Sequence, residues 1–140
     1  MDFSIFLSHM RIHPPGHYST NLYAEKLAEA KLADACGFDC IWLPEHHLIH
    51  FMQAPGGLLM CLYYGQQVSI PIGQMVNLLV YRHPLIGAGE IAQADVLLDG
   101  RLRLGVGRGA YAYEFRRLGL PWETANERFL ECLDVLMEVW

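Results

Sequence analysis

Two short blocks of this sequence combine residue types that can do chemistry. Glu45-His46-His47 places a carboxylate beside two imidazoles, directly after the apolar run Ile41-Trp42-Leu43-Pro44. Imidazole changes charge near neutral pH, so such a block can hold or pass a proton. Gly105-Val106-Gly107-Arg108-Gly109 sets one guanidinium among three glycines. Glycine lets a backbone approach an anion closely, and the guanidinium fork matches phosphate oxygens. Arg108 therefore reads in one of two ways. Either it binds an anion, or it pairs with Glu114 or Glu45 while the glycines allow tight strand packing. The block lacks the GxGxxG spacing of a dinucleotide fingerprint and does not open the chain. Zinc is also disfavoured. His46 and His50 are four apart, but Pro44 and the loop context oppose the helix that HExxH chemistry needs, and the Glu precedes both. No Ser or Cys nucleophile elbow is present, so acyl transfer has no support.

Other polar residues gather near these blocks. Six of the seven histidines fall between residues 9 and 50. His9, Met10 and Arg11 follow the first apolar run, and Asn77, Arg82 and His83 follow the third. His83-Pro84 reads as a helix cap through side chain or backbone. Asp95 reads as a buried, hydrogen-bonded carboxylate in an apolar helix segment. Tyr111 to Phe115 reads as loop packing or a ligand wall.

These residues need elements to hold them. Phe3–Ser8, Asp39–Leu43, Ile70–Leu79 (centred on Ile72–Leu78) and Leu102–Val106 are apolar runs of strand length. Helical patterns separate them: one through Tyr23, Leu27, Ala30 and Ala33, one near Leu58–Gln66, and one from Pro84 to Leu98. Ser19, Thr20 and Asn21 are candidate caps for the first, and Gly37 ends it. Thr124-Ala125-Asn126-Glu127 reads as a capping box. An apolar stripe follows on Phe129, Cys132, Leu133, Leu136, Met137 and Trp140. Four strand-helix units predict parallel strands with right-handed crossovers, as an open doubly wound sheet or about half of a (β/α)8 TIM barrel. The last helix keeps its stripe to the final residue, which favours the half barrel. Strand C-terminal ends share one face in either case, and ligands bind there.

Composition sets the outer limits. A chain of 140 residues has room for one ordinary domain. At 53% hydrophobic and 18% charged residues, disorder is excluded. A net charge of −5 with two lysines gives no basic stripe for nucleic acid or anionic lipid. The first apolar run is too short for a signal peptide and Leu58–Tyr64 is too short for a membrane span. Cys36, Cys40, Cys61 and Cys132 sit in apolar stretches, as buried thiols of a reducing compartment would. The expectation is a soluble cytoplasmic protein.

In order and spacing, Gly37-Phe38-Asp39, Ile41-Trp42-Leu43-Pro44-Glu45-His46-His47, His83-Pro84-Leu85, Asp99-Gly100-Arg101-Leu102 and the block at 105–109 resemble the bacterial luciferase-like flavin-dependent monooxygenases. The resemblance implies that residues 1–140 are the N-terminal half of that family's TIM-barrel domain, truncated after the fourth helix. It implies a catalytic His46 beside the flavin ring, accompanied by Glu45 and His47. Arg108 would meet the flavin phosphate, with Gly107 next to it. Met75-Val76 falls where the family often has a non-proline cis peptide against the isoalloxazine. Tyr111 and Glu114 would line the pocket, and no metal is implied.

The implied cofactor is FMN, reduced by a separate flavin reductase. The implied reaction uses O2 to oxygenate a small organic substrate, in a homo- or hetero-oligomer. Two alternatives stand beside it: a deazaflavin-dependent oxidoreductase of the same fold, and a non-catalytic subunit that pairs with a full-length homologue. Phe51–Gln67 is richer in Gly, Met and Tyr than the family's second helix, a departure at its usual dimer contacts. A half barrel leaves strand edges unpaired, so the chain alone is expected to self-associate and to bind FMN weakly.

Overall fold

A computed structural model of the chain describes residues 1–10 and 22–140. The proposed caps Ser19, Thr20 and Asn21, together with Arg11, His13 and His17, lie outside the described residues. Four strands, β1 (Ser4–Phe6), β2 (Cys40–Leu43), β3 (Ile72–Leu78) and β4 (Leu102–Gly107), form one sheet in sequence order, and every pair is parallel. Helix α1 (Leu22–Ala35) joins β1 to β2, α2 (Gly57–Gly65) joins β2 to β3, and α3 (Pro84–Leu97) joins β3 to β4. After β4 come a short α4 (Ala112–Arg117) and the long α5 (Ala125–Val139). The α/β class and parallel order follow from the sequence; α4 is an element its pattern does not announce.

Register explains the core. Ile41, Ile72 and Leu102 are cross-strand partners on one row. Side chains alternate along a strand, so this row and Leu43 face the helices. There they are buried with Ala30, Met60, Cys61, Ile91, Leu98, Cys132 and Leu136 in one cluster. Trp42, Gly73 and Arg103 occupy the neighbouring row. A Cβ at Gly73 would stand 2.3 Å from the Arg103 carbonyl and 2.8 Å from the Trp42 ring, so only glycine fits between them.

Asp99 and Gly100 (φ +53° and +73°) make the left-handed turn into β4. Asp95 accepts the Leu102 N–H (3.1 Å) and ties the end of α3 to that strand; the hydrogen bond is as expected, but the residue is half-buried rather than buried. His83 caps α3 through its backbone, its carbonyl accepting the Gly87 N–H (2.9 Å), with no side-chain cap bond.

Several expectations are corrected. β1 is three residues long, shorter than its apolar run. Thr124 makes no side-chain cap bond, so the capping-box motif is not used as one; its carbonyl accepts the Arg128 N–H (2.9 Å) instead. Cys36 is exposed at the end of α1, while Cys40, Cys61 and Cys132 are buried. On the α5 stripe Cys132 and Leu136 are buried, but Met137 and Trp140 are 70% and 61% exposed. Among the described residues no helix is long and apolar enough to cross a membrane.

Candidate functional site

The C-terminal end of the sheet carries two buried carboxylates, each bonded to a different histidine. Glu45, two residues after β2, is 2% exposed. Its Oε1 accepts from His47 Nε2 and from Arg82 Nη1, both at 2.8 Å. Its Oε2 accepts from the Leu78 N–H (3.1 Å) and the Gln74 amide (3.2 Å). Burial alone would raise the Glu45 carboxyl, but the bond from His47, the Arg82 charge and the backbone donor outweigh it. The group is held below the usual carboxylate range. Gln74 in turn accepts from Asn77 (2.7 Å). Gly57, at the start of α2, makes room for this network, since a Cβ there would lie 1.8 Å from Gln74 Nε2.

Glu114, on α4, is fully buried. Its Oε1 lies 3.2 Å from His46 Nδ1 and accepts the His47 N–H at 2.9 Å. Its Oε2 accepts the Tyr81 hydroxyl at 3.1 Å. Burial, and then the carboxylate against it, push the Tyr81 phenol up. Glu114 thus grips two successive residues of the β2 loop and the turn after β3 from an element 68 positions downstream.

Beside these networks lies a cavity of about 310 Å³, lined by Glu45, His46, Met75, Val76, Leu78 and the Arg108–Tyr111 stretch. Six expected site residues (Glu45, His46, Met75, Val76, Arg108 and Tyr111) therefore meet on one rim. Met75-Val76 is a non-proline cis peptide, at a register shift of β3 against β4 between Gln74 and Asn77. Tyr111 packs on the His46 ring, centroids 5.4 Å apart. The Arg108 guanidinium sits 4.7 Å over the Trp122 ring. It pairs with neither Glu45 nor Glu114, and among the described residues it makes no ion pair. That removes the salt-bridge reading and leaves an unneutralised cation on the rim.

Other expectations shift. Gly107 does not line the cavity; it pairs with Leu78, and a Cβ there would stand 2.7 Å from Val76 Cγ2. Its absent side chain seats Val76. Gly109 is the glycine of the block on the rim, at φ +90°. A Cβ there would come within 3.0 Å of the Tyr81 hydroxyl. Glu114 lies behind the cavity rather than lining it. His9 is withdrawn altogether: fully buried, Nδ1 on the Leu7 carbonyl (3.0 Å) and Nε2 on the Tyr64 hydroxyl (2.7 Å). Among the described residues no three His, Cys, Asp or Glu side chains come together as a metal site.

Comparison with known proteins gives this geometry a context. The oxygenase component of a flavin-dependent trigonelline monooxygenase from Acinetobacter baylyi is 31% identical over all of this chain and 39% of its own length. An alkanal monooxygenase alpha chain from Photorhabdus luminescens is 29% identical over all of this chain and 36% of its own. Among solved structures, the oxygenating constituent of 3,6-diketocamphane monooxygenase from Pseudomonas putida, in complex with FMN, superposes with a TM-score of 0.88 at 26% identity. That match again covers the whole chain and 39% of the neighbour. The chain thus spans about two fifths of the length of these relatives, and its four-stranded sheet is part of a barrel. The family model described as luciferase-like monooxygenase matches residues 1–140, and the chain belongs to that family.

Proposed function

We propose that this chain is the N-terminal half of a luciferase-like barrel, and that the cavity at its strand ends receives FMN in a flavin-dependent monooxygenase. One observation carries the reading. The imidazole of His46 and the unpaired guanidinium of Arg108 border the same cavity, with the apolar Met75-Val76 shelf on that rim. These residues fit a flavin phosphate: a cation that no carboxylate neutralises, presented on a rim where Gly109 keeps the backbone bare. Arg108 would hold the phosphate, stiffened by Trp122, while Met75 and Val76 support the ring and Tyr111 closes the side nearest His46. Glu45 and Gly107 act indirectly, the first by fixing the loop and the second by seating Val76.

Bound reduced FMN supplies the activation of O2. The chain's own part is to orient the ring, keep water from it and handle a proton at His46 Nε2 while a small organic substrate is oxygenated. The relative named an oxygenase component supports a separate flavin reductase as partner. A cytoplasmic location and assembly as an oligomer complete the proposal.

The test is titration of the isotope-labelled chain with FMN, riboflavin and a phosphate-bearing deazaflavin, followed by amide shifts. FMN is expected to bind weakly, with the largest shifts at His46, Met75-Val76 and Arg108–Tyr111. Riboflavin, lacking the phosphate, binds more weakly still. Shifts confined to another surface would overturn the reading, and tighter binding of the deazaflavin would move it to the deazaflavin-dependent oxidoreductases. Submicromolar FMN binding by the monomer would refute the view that the missing strands are needed for affinity.

A further inference from the structure

We propose that Glu114 is a positioning residue that fixes the tautomer of His46. The proposal deepens the reading of His46 as the proton-handling group at the cavity and rests on it. Three hydrogen-bonding groups converge on one buried carboxyl: the His47 N–H, the Tyr81 hydroxyl and His46 Nδ1. The first can only donate, and the Tyr81 hydroxyl donates to the second oxygen. Each oxygen of the Glu114 carboxyl thus already acts as an acceptor, one of the His47 N–H and the other of the Tyr81 hydroxyl. His46 Nδ1 must then carry the proton in the bond to Glu114. In the neutral ring Nε2 is left with its lone pair.

Nothing among the described residues occupies that second nitrogen, and the ring forms part of the cavity wall. Tyr111 packs against the ring and limits its rotation. The consequence is an acceptor at the cavity that is set before any ligand arrives. His47 is held in the same manner, its Nε2 on Glu45 and its ring edge-on to Tyr81. Of the two adjacent imidazoles, His46 is the one that lines the cavity.

The tautomer can be read directly, without flavin, so its failure is distinct from failure of the FMN assignment. The measurement is histidine 15N and 1H NMR on the labelled chain at a pH where the ring is neutral. It is done in solution, or by magic-angle spinning if the chain self-associates. In the wild type, the unprotonated, high-frequency nitrogen of His46 is expected to be Nε2, with a downfield proton on Nδ1. Glu114→Gln puts a weaker acceptor in the same place and moves that proton upfield. Tyr81→Phe removes a competing donor from the carboxylate and moves it downfield. A proton found on Nε2 in the wild type overturns the proposal. So does an Nδ1 proton that stays put in whichever of the two variants folds.

Discussion

The two ends of this sheet treat their charged side chains differently. At the N-terminal end of the strands, Arg101 donates to three carbonyls, those of Gly65, Val68 and Ile70 (3.0–3.2 Å). Asp34 accepts both the backbone and the hydroxyl of Ser69 (2.8 Å each), and these bonds hold its carboxyl low. Both groups end on backbone or a neighbouring hydroxyl, and they tie the end of α1 and the start of β4 to the segment between α2 and β3. At the C-terminal end, Glu45 and Glu114 are as fully committed, but two groups on the cavity rim are not. Among the described residues His46 Nε2 has no partner and Arg108 makes no ion pair. The proposed function rests on this unsatisfied capacity, set beside neighbours that are satisfied.

Removing the most committed group should cost most. Glu45→Ala leaves Arg82 with Glu90 alone and takes the acceptor from His47, the Gln74 amide and the Leu78 N–H; a loss of about 3–5 kcal/mol is expected. Urea unfolding followed by circular dichroism measures it. A loss below roughly 1 kcal/mol would mean that water replaces the carboxylate and that the cluster is not the keystone of that end. At the opposite end, Arg101→Met should cost about 2 kcal/mol, the scale of charged hydrogen bonds to carbonyls. It should leave FMN-induced shifts at His46 and Arg108 unchanged.

Arg108→Ala reverses that pattern. Only a cation–π contact of about 0.5–1 kcal/mol is lost, so stability barely moves. The preference for FMN over riboflavin should vanish, measured by parallel titrations. A variant that unfolds like Glu45→Ala, or that keeps its preference for FMN, would erase the distinction between holding and held groups.

Sequence carried the elements further than the contacts. The apolar runs located all four strands, because an apolar run of strand length is a local pattern, even though β1 and β4 are only partly buried in this chain. The block at 105–109 and the histidine pair were legible because they are contiguous. Glu114 was placed as a pocket liner or a partner of Arg108, since its actual partners lie 33, 67 and 68 positions away and periodicity records burial, not pairing. Gln74 and Gly57 left no signal, because their fit exists only once α2 lies on β3. Gly107 and Gly109 look alike in sequence and differ only in whether Val76 or the rim lies over them. The Thr124 motif had the right residues, but its backbone (φ −97°, ψ 11°) does not present the hydroxyl to the helix N-terminus.

His9 offers the finest test, because it sits at the functional end but behaves like the structural one. Both its nitrogens are used, its ring lies between Tyr23 and Tyr64, and burial lowers its proton affinity below the ordinary value of 6.5. The nearby charges work against each other, Lys26 lowering and Glu29 raising it. A histidine depressed in the folded state binds protons more readily when unfolded. Stability should therefore decline as pH falls below about 6.5 and level off once the folded ring titrates as well. Glu45 adds a second decline below the ordinary carboxyl value of 4.5, as its lowered group gains a proton. His9→Gln should abolish the first decline and keep the second, read from urea midpoints from about pH 2.5 to 7.5. If the first decline survives that substitution, its source is not His9, and burial of that ring does not set the pH dependence at this end.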